Sequence, residues 1–211
     1  MFSISAAVVG SLLAGTASED FTSISWDVTN IGANGTTYQI YVDLDAGDQL
    51  NAVYGDDVIA LSISAVNGVF YQNAFGTHSV AGMNPALFGV FPSLMYDSFV
   101  TIGLEDNVGN AMLDIGIDWT DFNAGGEIWT DNGSWFATPD DAQVYAVDGR
   151  VLIGQFTVAD DDGIHGTINM QGKNADGSNW TATDVYFNTI PAPGALALLG
   201  LAGLASRRRR S

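Results

Sequence analysis

The chain has 211 residues, with 24 Asp and Glu against 6 Lys and Arg, a net charge of −18 and no cysteine. So acidic a surface repels phosphate and argues against nucleic acid as a partner. The missing cysteine excludes disulfides, thiolate zinc sites, iron–sulfur clusters and a cysteine nucleophile, while 47% hydrophobic residues supply a core of ordinary size.

Residues 1–17 read as a secretory signal peptide. Residues 4–14 are apolar or small, Ala14, Gly15, Thr16 and Ala17 offer a small-residue cleavage site, and acids begin at Glu19. The basic segment that usually opens such a signal is missing, since no Lys or Arg precedes Arg150. The competing reading is a first β-strand of the body.

Residues 18–189 form the body, and alternation with period two dominates them. Ile24, Trp26 and Val28 alternate with polar residues, as do Tyr38, Ile40, Val42 and Leu44. An asparagine–glycine turn within 30–35 joins the two runs into an antiparallel hairpin. Further strands are predicted at 58–64, 69–72, 99–104, 112–119, 143–147, 151–158, 167–171 and 183–188. In the 112–119 run, Leu113, Ile115, Ile117 and Trp119 share one face, with Asp114 and Asp118 on the other. Residues 82–93 break the alternation and are expected to be a long loop. About ten short strands, each polar on one face, predict an all-β fold: an antiparallel β-sandwich or jelly-roll-like body.

The end of the chain changes character. Ile190, Pro191, Ala192, Pro193 and Gly194 are followed by an uncharged apolar run to Ala205, then by Arg207, Arg208, Arg209 and Arg210. As a helix, residues 190–206 span about 25 Å, slightly short of a bilayer core, and arginine stems cover the deficit by snorkelling. The arginines act as a stop-transfer block and keep the terminus cytoplasmic, with the body outside.

This three-part arrangement resembles the PEP-CTERM sorting signal of bacteria, a tail also labelled an ice-binding-protein C-terminal domain. Ile190, Pro191 and Pro193 match its proline motif, and Ala192 stands where the family usually has glutamate. The resemblance is confined to residues 190–211. It implies an exosortase-type processing enzyme as partner, transient anchoring in the inner membrane, and release of the body to the cell surface or an exopolysaccharide matrix.

Within the body, Asp43, Asp45 and Asp48 have a spacing like that of a calcium loop. Asp160, Asp161 and Asp162 form a second acidic cluster, and Asn174, Asp176 and Asn179 a third. None supplies a full ligand loop, and the competing reading is turn chemistry, in which Asp and Asn bond their own backbone. Calcium is therefore the one cofactor considered.

A glycosidase needs a spaced carboxyl pair. Glu105, Asp118, Asp121 and Glu127 are candidates without a distinguishing pattern. A serine triad would need His78 or His165 as base, and Ser79 and Ser93 sit in no nucleophile elbow, so the body reads as non-enzymatic. Five tryptophans are many for this length. Trp129, Trp135 and Trp180 lie near polar turns and could form a lectin-like, carbohydrate-binding face, the competing reading being a sandwich core. Arg150 and Lys173 are the only bases before the tail, and Arg150 is expected to pair with an acid. The leading expectation is an exported surface or matrix protein; a carbohydrate-binding module comes second and a hydrolase third.

Overall fold

The computed structural model describes residues 21–139 and 141–190. The proposed signal peptide, the sorting motif of Pro191, Ala192, Pro193 and Gly194, the apolar run and Arg207, Arg208, Arg209 and Arg210 lie outside the described residues. No helix among the described residues is long and apolar enough to cross a membrane.

Two antiparallel sheets make up the body, an arrangement consistent with an all-β sandwich. Strands β1 (Phe21–Gly32) and β2 (Gly35–Leu44) form the expected hairpin, with Trp26 opposite Ile40 and Ile24 opposite Val42. Strand β2 also pairs with β9 (Arg150–Val158), and β9 with the short β5 (Phe99–Val100), giving a four-stranded sheet in the order β1-β2-β9-β5.

The seven-stranded sheet is built around β10 (Ile164–Lys173). Along one edge of β10 runs β11 (Asn179–Asn188). Along the other run β3 (Gln49–Gly55) and β4 (Leu61–Ala65), end to end, as one strand interrupted by residues 56–60. Strand β7 (Ile128–Thr130) pairs with β4, β8 (Gly133–Phe136) with β3, and β6 (Leu113–Ile115) with β8.

Asn169 is fully buried at the break. Its Nδ2 donates to the Ile59 carbonyl and its Oδ1 accepts from the Asp184 amide, so one side chain ties the interruption on one side of β10 to the irregularity of β11 on the other. Backbone groups freed by both irregularities thereby find a partner in one buried side chain.

Residues of both sheets share one core cluster, including Trp26, Ile40, Val42, Ile153 and Phe156 from the first and Leu50, Val53, Trp135, Ile168 and Met170 from the second. The 82–93 loop holds the single-turn helix α1 (Pro85–Phe88), which starts with proline and is capped by Asn84 accepting from the Ala86 amide. Nearby Val80, Met83 and Leu94 are buried, so this irregular segment contributes to the core.

Several predicted strands differ. The stretch 69–72 is irregular, and 143–147 begins as a 3₁₀ turn (Ala142–Val144). Only Phe99 and Val100 of 99–104 pair as a strand. The 112–119 strand ends at Ile115 because Gly116 adopts φ +76, a conformation side chains resist. Leu113 and Ile115, opposite Phe136 and Ser134, are exposed, while Trp119 is buried just before the short helix α2 (Thr120–Asn123). Strand β3 escapes the alternation test because nearly every one of its residues is buried.

Candidate functional site: the open face of the seven-stranded sheet

Cross-strand register decides which side chains stand together on a sheet face. In the seven-stranded sheet, Trp129 on β7 lies opposite Ser62 on β4, Ser62 opposite Thr167 on β10, and Thr167 opposite Tyr186 on β11. These four form one row on the side away from the core, since their neighbours Leu61, Ile63, Ile128 and Ile168 are buried. Trp129 and Tyr186, at its two ends, are each 50% exposed. Three strand spacings separate them, about 14 Å. The next row holds Ser64, His165 and Asn188. Ser64 donates to the Glu127 carboxylate at 3.2 Å, and Asn188 donates to the Tyr186 hydroxyl at 3.3 Å.

Farther along β10 a third row runs Leu113, Phe136, Ala52, Gln171 and Thr181. All of these but Leu113 line a groove of about 540 Å³ whose walls include Thr138, Pro139, Asn51, Lys173 and Asn179. Asn51 is the extra residue of a bulge in β3, and its buried Nδ2 has no hydrogen-bond partner. Gly172 also lines the groove, and only glycine fits there, because a Cβ would collide with the Gln49 carbonyl and lie 2.7 Å from the Trp180 indole.

The three tryptophans expected on a sugar face therefore separate. Trp129 is exposed, but Trp135 and Trp180 are 0% and 2% exposed. Trp135 donates its indole N–H to the Thr101 carbonyl, and Trp180 donates to that of Gln49. Both rings point inward because a strand residue one place from an outward neighbour, Phe136 or Thr181, faces the core. The adjacency of Trp135 and Phe136 in one strand already puts them on opposite faces, whereas Tyr186, which also lines the open face, was not singled out from the sequence because the period-two pattern of β11 is broken by its bulge.

Most of the clustered aspartates accept hydrogen bonds within the fold. Asp43 accepts from Ser23 and Ser25, Asp48 is buried and accepts from the Ala175 amide, and Asp45 is exposed. Asp162 accepts from the Asn67 and Gly163 amides, and Asp176 from Ser178. Among the described residues, no group of three or more acidic or histidine side chains is placed to hold a metal ion. Arg150 pairs with Asp27 and lies 3.8 Å above the Tyr41 ring. Burial pushes the Tyr41 phenol up to about 12, opposed by the nearby guanidinium.

Glu105, Asp118, Asp121 and Glu127 are all exposed. Hydrogen bonds from Thr120 hold the Asp118 carboxyl below its usual range. The carboxyl most disturbed is one the sequence did not mark. Asp97 is fully buried, and desolvation raises it to about 7 against bonds from backbone amides, among them that of Asn73 at 2.6 Å. Its Oδ2 lacks a hydrogen-bond partner and is packed against Gly76.

His78 Nε2 lies 3.4 Å from Asp114, whose other oxygen accepts from the Trp119 indole at 2.9 Å, and the imidazole stacks on that indole at 4.5 Å. Ser79 is buried and bridges to Val100, and Ser93 accepts from Asn73. The histidine thus belongs to a packing cluster with Trp119. Comparison of the chain with protein-family models, curated proteins and solved structures finds no match.

Proposed function

We propose that this chain is an exported bacterial cell-surface or extracellular-matrix protein, delivered by its C-terminal tail and acting through a non-catalytic β-body. The observation that carries the reading is the order of proline motif, apolar run and arginine block at 190–210. An apolar segment followed at once by four arginines stops translocation and leaves the preceding domain outside. An exosortase-type enzyme then cuts near Pro191 and Pro193 and releases the body from the inner membrane to the surface polysaccharide. The body suits such a setting: its charge keeps it soluble, and it presents a wide polar and aromatic sheet face.

Intact-mass measurement of the exported product tests this directly. Wild-type protein is expected to have lost residues distal to the proline motif, and a Pro191→Ala/Pro193→Ala variant to retain them in the membrane fraction. An exported wild-type product still carrying residues 194–211, or an unaltered destination after deletion of the tail, would overturn the proposal.

A further inference from the structure

The open face has a composition with a chemical meaning. A pyranose ring offers apolar C–H faces and hydroxyl edges that both donate and accept. Flat aromatic rings match the faces; Ser, Thr, Asn and Gln, which also both donate and accept, match the edges. Trp129 and Tyr186 flank a floor of Ser62 and Thr167. Four residues on along β10, about 13 Å away, Gln171 and Thr181 join Phe136 in the groove. A ligand that uses both ends must be an extended chain rather than a single small molecule.

Two observations narrow the occupant. The Asn51 amide has a buried Nδ2 with no partner, and the cost of such an unmade bond is recovered when a ligand supplies an acceptor. The net charge of −18 repels acidic polymers. Lys173, the only lysine of the chain, is the one cation among the residues that line the groove. A peptide would add to a sheet edge through its backbone, whereas these groups stand on a face.

We propose that the outer face of the seven-stranded sheet binds a neutral polysaccharide chain, stacked on Trp129 and Tyr186 and gripped in the groove by Phe136, Asn51 and Gln171. The inference rests on the surface-protein reading for where the glycan is met, but its chemistry is independent of delivery.

Affinity electrophoresis and calorimetry of the purified full chain test it, using linear neutral glucans and mannans, alginate and polygalacturonate, and an extended peptide of mixed sequence. Neutral glycans are expected to retard the protein, with or without chelator. Trp129→Ala and Tyr186→Ala should each weaken binding about threefold to tenfold. Phe75→Ala, which removes an exposed ring stacked on Phe91 elsewhere, should leave it unchanged. No retardation by any neutral glycan, equal retardation of the Trp129 and Tyr186 variants, or tighter binding of alginate, polygalacturonate or the peptide would overturn the proposal. An exported protein that binds nothing removes this inference alone; a glycan binder that is not exported removes the surface reading alone.

Discussion

The outer faces of the two sheets carry similar residues in opposite circumstances. On the four-stranded sheet, Thr37 and Thr157 bond each other at 2.8 Å, Gln39 donates to Gln155, and Tyr41 donates to Gln39. Gln155 in turn donates to the Met95 and Asp97 carbonyls. All five side chains are buried, bonded to one another and to the segment that holds Met95 and Asp97, so this polar face is closed. On the seven-stranded sheet, Ser62, Thr167, Gln171 and Thr181 stand among Trp129, Tyr186 and Phe136 with their outward groups open. Polar groups that satisfy one another rigidify a fold, whereas polar groups left to solvent beside exposed rings are available to a ligand.

The comparison can be broken by substitution, and the largest effect is expected beneath the open face. Trp135→Ala empties a fully buried site and should cost about 3–5 kcal/mol in urea unfolding. A cost under 1 kcal/mol would mean that this ring is not part of the core.

Next comes pH. Asp97 is raised from its ordinary 3.8 to about 7, so between these values the folded chain keeps a proton that the unfolded chain releases. Stability should therefore be greatest below about pH 4 as far as this group is concerned, and fall through the window by about 4 kcal/mol at ~1.4 kcal/mol per pH unit. Thermal melts at pH 4.5 and 7.5 should show the loss in wild type, and Asp97→Asn should flatten it. An equal slope in the variant would assign the loss to other carboxylates.

The closed face gives a smaller effect with a distinctive sign. Thr157→Val strips Thr37 of its hydroxyl partner and should cost about 1–3 kcal/mol, while the double Thr37→Val/Thr157→Val variant should recover much of that. A double variant worse than the sum of the singles would show that the pair is held by other groups. Smallest of all, Trp129→Ala should change stability by no more than about 0.5 kcal/mol, checked by the same urea titration. A loss approaching that of Trp135→Ala would show that both rings serve the fold.

Much of the β-architecture was legible because half-buried strands alternate. The β1–β2 hairpin and the β9 segment follow from Ile24, Trp26, Val28, Ile40, Val42 and the apolar run at 151–158. Strand β3 was not legible because burial on both faces erases the alternation. The partition of the tryptophans was not legible either: all three sit near polar turns, and only the register of β7, β8 and β11 turns one outward and two inward.

Acidity, the absence of thiol chemistry, the period-two strands and the three-part tail are all readable along the chain, because they depend on composition and on near neighbours. Tertiary structure alone decided that Asp97 is buried beside Gly76, that His78 stacks on Trp119, and that Trp129 and Tyr186 end one row. These pairs join residues tens of positions apart, through hydrogen-bonded register and desolvation that no local pattern encodes.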